Sequence, residues 1–280
     1  MNLLEVSKTK IMGILNITPD SFSGDGLMTS SKNVLTRHLQ KMIVEGADII
    51  DIGARSTAPG AKKISEKAEI GRLKTFCEYI SLADFPKTIF SVDTMSAAIA
   101  EKGISCGVQI INDVSGGRND SDMFNVIANS QIKYIMMYCK NTDGYADTNP
   151  VSYDVYKKII EFFDDNIKKA LKTGIRKEQL LLDPGMGAFI SSDFLDSVKV
   201  LQKIPDLKKR YQLPICIGSS RKGFLANLIG NNFNMKDRLI PTVITSLFSV
   251  IQGAEYVRVH DILAMKNVLR SWEVLNENLN

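Results

Sequence analysis

A chain of 280 residues with 44% hydrophobic and 24% charged side chains has the composition of an ordinary globular protein and material for one large core. The net charge of +4 is interspersed along the chain without a basic block, which excludes an electrostatic nucleic-acid-binding surface. No run of about 18 apolar residues exists for a membrane span, and Met1–Lys10 lack the apolar stretch of a signal peptide, so a cytoplasmic location is expected. The four cysteines, Cys77, Cys106, Cys139 and Cys216, have no CxxC spacing and are expected to be buried reduced thiols.

In chain order, short apolar β-branched runs alternate eight times with longer amphipathic stretches. The predicted strands are Lys10–Leu15, Ala47–Asp51, Thr88–Val92, Val108–Ile111, Lys133–Met137, Leu180–Leu182, Pro214–Ile217 and Glu255–Val259. The spacing predicts helices between them, among them Asn33–Glu45, Glu66–Ile80 and Val155–Thr173. The last places Val155, Ile159, Ile160, Phe163 and Ile167 on one face. Eight β-then-α units form either a closed barrel or a wide doubly wound sheet. The count of eight, and the lack of a GxGxxG turn after the first strand, favour a (β/α)8 TIM barrel. Without a Pro/Ser-rich linker or a repeat, residues 1–280 are expected to form a single domain.

In such a barrel the active site is built from the loops that follow the C-terminal ends of the strands. Here seven of the eight strands end in polar or charged residues. The first runs into Asn16 and the acidic stretch around Asp25, and the second into Asp51 and the Arg55-Ser56-Thr57-Ala58-Pro59-Gly60 loop. The third, fourth and sixth deliver Asp93, Asn112 and Asp183. The seventh leads to Ser220-Arg221-Lys222, and the eighth ends in Arg258-Val259-His260-Asp261. Each segment alone has a plain explanation as a turn or helix cap. Turn chemistry does not, however, require Asp93, Asn112, Asp183 and Lys222 to converge on one barrel face. Carboxylates and a carboxamide suit the donor–acceptor edge of a heterocycle. Arg258 and His260 suit phosphate oxygens. The Asn16 oxygen suits Mg2+ that keeps water and phosphate as its other ligands. Arg221 and Lys222 suit an anionic or electron-rich second substrate. Group transfer with pyrophosphate leaving is the chemistry this set supports.

Five motifs in order, over about residues 10 to 275, resemble the dihydropteroate synthase family. They are Ile14-Leu15-Asn16-Ile17-Thr18-Pro19-Asp20-Ser21-Phe22-Ser23, Gly46-Ala47-Asp48-Ile49-Ile50-Asp51-Ile52-Gly53, Asp183-Pro184-Gly185, Ser220-Arg221-Lys222 and Arg258-Val259-His260-Asp261. The resemblance implies that Asp93, Asn112, Asp183 and Lys222 hold a pterin ring flanked by Met137. It implies pyrophosphate on Asn16, Arg258 and His260, with Mg2+ beside it. Phe22, Thr57, Pro59, Ser220 and Lys222 would shape the p-aminobenzoate pocket. Asp93, Asp183, Lys222 and Asp25 are the catalytic candidates, no covalent nucleophile is needed, and a homodimer through late helices is typical of the family.

The departures cluster around the second substrate. The family's arginine in the second loop is Ala58, the first-loop acid is shifted by one place to Asp25, and Gly223 stands where a serine is common. The sixth loop, Gly185-Met186-Gly187-Ala188-Phe189-Ile190-Ser191-Ser192, is about two residues longer than usual and resembles the acquired, sulfonamide-insensitive branch of the family. There Phe189 would either clash with the substituted tail of a sulfonamide while sparing the smaller substrate, or simply pack the loop. Two other readings stay open on the residues alone: a pterin-dependent methyltransferase barrel and a catalytically silent pterin-binding barrel.

Overall fold

Strand pairing continues past the end of five of the eight apolar runs, and this sets the geometry of the mouth. The computed structural model describes residues 9–18, 32–230 and 238–277. Eight parallel strands, β1 (Lys10–Asn16), β2 (Ile49–Gly53), β3 (Ile89–Asp93), β4 (Ile110–Asp113), β5 (Lys133–Met137), β6 (Leu180–Asp183), β7 (Cys216–Ile217) and β8 (Tyr256–Val259), pair in the order β6-β5-β4-β3-β2-β1-β8-β7. A parallel bridge between Leu182 and Ile215, with Leu182 N donating to Pro214 O at 2.9 Å, joins β6 to β7 and closes the ring. The fold is the (β/α)8 TIM barrel. Compared with the apolar runs, β2 and β4 are displaced by two residues toward their C-terminal ends, and β1, β3 and β6 each gain a polar last residue.

Outside the ring lie α1 (Lys32–Val44), α2 (Glu66–Tyr79), α3 (Ala97–Ser105), α4 (Met123–Ala128) and α5 (Val155–Thr173), each after the strand of the same number. α6 (Phe194–Gln202) and α7 (Ile204–Tyr211) follow β6, α8 (Phe224–Leu228) and α9 (Leu239–Ile251) follow β7, and α10 (Ile262–Glu277) follows β8. α5 shows the local logic. Asp154 caps its N-terminus by accepting from Lys157 N, and Gly174 ends it at φ 106°, a left-handed conformation glycine adopts without steric cost. Its buried face is Val155, Ile159, Phe162, Phe163, Asn166 and Ala170. Ile160 and Ile167 are only partly buried and pack against the edge of the main core.

Alternation along the strands separates two cores. Residues facing the helices, such as Ile50, Phe90, Ile111 and Leu182, join the main core. Those facing the barrel axis, Met12, Ile49, Ile110, Ile135, Leu181 and Cys216, form a second apolar cluster that serves as the floor. Two residues further along four of the strands, on the same face, the side chain becomes polar: Ile49 is followed by Asp51, Ile110 by Asn112, Leu181 by Asp183, and Tyr256 by Arg258. A polar layer therefore sits directly on an apolar floor.

The expectation of four reduced thiols is corrected in part. Cys139 and Cys216 are buried and free, but Cys77 of α2 and Cys106 at the C-cap of α3 form a disulfide with Cα atoms 6.2 Å apart. α2 and α3 pack side by side outside the sheet, a proximity that a sequence separation of 29 conceals. Among the described residues, no helix is long and apolar enough to cross a membrane.

Candidate active site

Four strands contribute to one hydrogen-bonded set in the polar layer. Asp51 is fully buried, and its Oδ2 accepts from Arg258 Nε at 2.6 Å and from Asn112 Nδ2 at 3.1 Å. The other end of the same guanidinium, Nη2, donates to Asp93 Oδ2 at 2.7 Å. Burial raises the Asp93 pKa to about 7 even though Arg258 pulls it down. Arg258 is also buried, yet Asp51 and Asp93 more than offset that cost and hold its pKa above the ordinary arginine value. Asp51 Oδ1 and Ser91 Oγ are buried with no protein partner. Unmatched acceptors beneath a pocket are sites for a ligand or water to complete.

Beside this set lie Asp183 and Lys222. Asp183 Oδ1 accepts from Gly185 N at 2.8 Å, and burial raises its pKa against the pull of Lys222. Lys222 donates to Met186 O at 3.2 Å, and burial lowers its pKa to about 8. A Cβ at Gly218 would stand 3.8 Å from Arg258 Cβ and 3.9 Å from Asp183 Oδ2, so the missing side chain keeps a gap between them. Phe189, on a 3-10 turn in the sixth loop, lies 4.5 Å (ring centroid) from Lys222 Nζ and packs with Tyr145 against Met95, Val114 and Met137. Asp93, Asn112, Asp183, Lys222, Arg258, Met137 and Phe189 thus meet at one mouth.

At the rim, the Ser220 hydroxyl lies 3.0 Å from His260 Nδ1 and accepts from His260 N at 3.2 Å. A Ser220 hydroxyl that donates to Nδ1 would leave the neutral ring's proton on Nε2 as a donor. Burial, together with Arg221 and Arg258, lowers the His260 pKa to about 4, so the neutral form persists at physiological pH. Arg221, at φ 56°, forks onto Asp261 at 3.0 and 2.6 Å, an ion pair outside the polar layer. In the second loop Thr57 O accepts from Ala146 N at 3.0 Å, and Ala58 and Pro59 are exposed. Arg55 does not stand in for the arginine absent at Ala58: its guanidinium is bound to the buried Glu69 carboxylate, which also accepts from Thr94 Oγ1 at 2.9 Å. Phe22 and Asp25 lie outside the described residues.

Residues 12–260 match the family described as pterin binding enzyme. The chain is 32% identical over 265 residues to a dihydropteroate synthase type-3 of Escherichia coli, covering 94% of this chain and 97% of that one. It is similar to the solved Anaplasma phagocytophilum dihydropteroate synthase with bound 6-hydroxymethylpterin-monophosphate, at 34% identity and a TM-score of 0.82, over 96% and 99% of the two chains. It is also similar to the Xanthomonas albilineans enzyme with 4-aminobenzoic acid, at 29% identity and a TM-score of 0.85, over 97% and 94%. The chain belongs to the dihydropteroate synthase family.

Dihydropteroate synthases are transferases acting in folate synthesis, and this chain is an enzyme of that class. A dihydropteroate synthase is expected to use Mg2+, and the donors here fit a particular kind of ion. No group of three His, Cys, Asp or Glu that could hold a metal occurs among the described residues. Asn16 Oδ1, at the end of β1, lies 3.0 Å from where a Cβ at Gly53 would stand, and that position carries no side chain. One neutral carboxamide oxygen is the kind of hard donor that hydrated Mg2+, carried mainly by substrate phosphate, accepts as a single protein ligand. Sequence reasoning missed two members of the site. Asp51 was visible as a strand end and its role was not, because only pairing across β2, β4 and β8 shows what it holds. Tyr145 lies in a polar loop with no motif to mark it.

Proposed function

We propose that the enzyme condenses 6-hydroxymethyl-7,8-dihydropterin pyrophosphate with p-aminobenzoate to give 7,8-dihydropteroate and pyrophosphate, with residues 1–280 working as one cytoplasmic domain. The observation that carries this reading is the polar layer of Asp51, Asn112, Arg258 and Asp93 beside Asp183 and Lys222, seated on an apolar floor. It offers a planar heterocycle a flat apolar base and a rim of donors and acceptors. The relatives solved with a pterin monophosphate and with 4-aminobenzoic acid support the two substrates.

In the proposed reaction the C–O bond to pyrophosphate breaks first, and the leaving group takes the electron pair. The exocyclic methylene becomes cationic, the arylamine nitrogen attacks it, and a proton is released. Asp93, Asn112, Asp183 and Lys222 hold the pterin, and the two carboxylates stabilise the developing cation. Met137 flanks the ring. Arg258 and the Nε2–H of His260 bind the departing phosphates, with Ser220 fixing the imidazole. Asn16 would hold Mg2+, which supplies positive charge to the leaving group. Phe22, Thr57, Pro59, Arg221 and Phe189 shape the p-aminobenzoate side, and Asp25 is the remaining catalytic acid of the first loop.

Two finer readings accompany this one. In the first, Phe189 excludes sulfonamides by bulk, as expected of the resistance branch that the sixth loop resembles; its half-buried ring over Lys222 supports a wall at that position. A homodimer is supported by the exposed apolar stripe of Ile240, Ile244 and Phe248 on α9, at i, i+4 and i+8. Pyrophosphate release measured with both substrates, with and without a sulfonamide, tests the function. Release that depends on p-aminobenzoate is expected. No release, or release indifferent to the arylamine, overturns it.

A further inference from the structure

The fifth βα loop, residues 138–154, joins two other loops across the mouth. Ala146 N donates to Thr57 O at 3.0 Å, Lys63 pairs with Asp143 at 2.7 Å, and Lys140 N donates to Phe189 O at 2.7 Å. It lies close because Gly144 has φ 71°, and a Cβ there would come 2.0 Å from Met95 Sδ. The next residue, Tyr145, is half-buried and packs with Phe189 on Met95, Val114 and Met137, a cluster separate from both the floor and the main core. The positions beneath it are informative. Met95 and Val114 follow Asp93 and Asn112 by two residues, and Met137 ends β5.

The Tyr145 ring is held from several sides. Its backbone N donates to Asp143 Oδ1 at 3.1 Å, and its O accepts from Asn141 Nδ2 at 2.7 Å. Lys63 Nζ lies 4.8 Å from its ring centroid, and its hydroxyl interacts electrostatically with Arg55, itself fixed to Glu69. Anchoring of this kind fits a side chain that must present a ring face at a fixed place, because little entropy remains to be lost when a planar ligand arrives.

We propose that Tyr145 is a specificity-determining residue of this enzyme, its ring packing against the face of the pterin while the polar layer reads the pterin's edge. This rests on the assignment of the pterin to the polar layer made above. The loop that carries Tyr145 also grips the Thr57 backbone and Phe189, so a single segment joins the pterin side of the mouth to the p-aminobenzoate side.

The test titrates 6-hydroxymethylpterin monophosphate by calorimetry into wild type, Tyr145→Ala, Tyr145→Phe and Asp183→Asn, with KM measured for both substrates. Loss of a stacked ring weakens pterin binding about tenfold in Tyr145→Ala. Tyr145→Phe, which keeps the ring, stays much closer to wild type, and KM for p-aminobenzoate is unchanged in both. Weakened binding in Asp183→Asn with unchanged binding in Tyr145→Ala overturns the role of Tyr145 and leaves the slot assignment standing. Unchanged binding in Asp183→Asn overturns the slot assignment and this inference with it. A Tyr145→Ala effect on p-aminobenzoate alone, or an equal effect on both substrates, also overturns the inference. Should Tyr145→Ala fail to fold, Tyr145→Leu keeps an apolar spacer without the aromatic face: weakened pterin binding supports the role of the ring, and unchanged binding overturns it.

Discussion

Asp51 Oδ2 receives both Arg258 Nε, at 2.6 Å, and Asn112 Nδ2, at 3.1 Å, so one carboxylate oxygen ties β8 and β4 to β2 inside the barrel. Asp51 itself need not touch substrate; it sets where two other side chains point. Asp51→Asn keeps the shape but removes the charge opposite a buried guanidinium. Breaking such a pair costs about 3–5 kcal/mol, with Asp93 retaining part of it here. The expected result is a folded protein with a lower urea midpoint and a raised KM for the pterin substrate. A variant with wild-type stability and kinetics would show that Asp93 alone suffices to hold Arg258.

The two cationic candidates titrate in opposite parts of the pH range. His260 is neutral in the fold down to about 4 and has an unfolded value of 6.5. Between those values the unfolded chain binds the extra proton, so stability rises with pH across that window and is lost as pH falls through it, by at most about 1.4 kcal/mol per pH unit. Lys222, with a folded value of about 8 against 10.5, likewise adds stability as pH rises from 8 to 10.5. Its charge, however, disappears over the same interval. Activity that needs the cation therefore falls above pH 8 while this contribution to stability grows. A pH–rate profile set beside denaturant melts checks the divergence, and imidazole NMR shifts follow His260 directly.

The link between Cys77 and Cys106 closes a loop over a sequence separation of 29. On chain entropy, removing it by Cys77→Ser with Cys106→Ser costs about 3.6 kcal/mol. Alkylation of the unfolded, unreduced protein should label Cys139 and Cys216 only. Labelling of all four would show the link is absent in solution and would restore the reduced state expected of a cytoplasmic chain.

Phe189 is the side chain most exposed to a test of inhibitor discrimination. Deleting Ala188 with Phe189 shortens the sixth loop and takes the ring away from Lys222. Sulfonamide inhibition constants should fall by roughly tenfold or more, consistent with the loss of one well-placed steric clash, with KM for p-aminobenzoate much less changed. Unchanged inhibition constants would leave Phe189 a packing residue.

The barrel was legible because its signal is periodic: eight apolar runs, separated by amphipathic stretches, mark eight strands whatever their neighbours. The strand ends were less so. Asn16, Asp93 and Asp183 belong to ladders held by backbone hydrogen bonds, which hydrophobicity does not report. The convergence of Asp93, Asn112, Asp183 and Lys222 followed from their place after each strand. What they bind within the protein did not: Arg258 is 207 residues from Asp51 and 165 from Asp93 in sequence. Arg55 illustrates the limit. Its place three residues before Ala58 leaves open whether it could replace the missing arginine, and Glu69, in the helix that follows, captures it.

β6 and β7 are joined by a single bridge, whereas every other neighbouring pair in the ring shares a ladder. Asp183 ends one strand of that seam, and Lys222 follows the other. A substrate gripping both side chains supplies the rungs that the backbone leaves out. Under the proposed assignment, occupancy would work as a clasp: the loaded barrel would be a stiffer ring than the empty one, with the gain falling between the two residues proposed to hold the ligand.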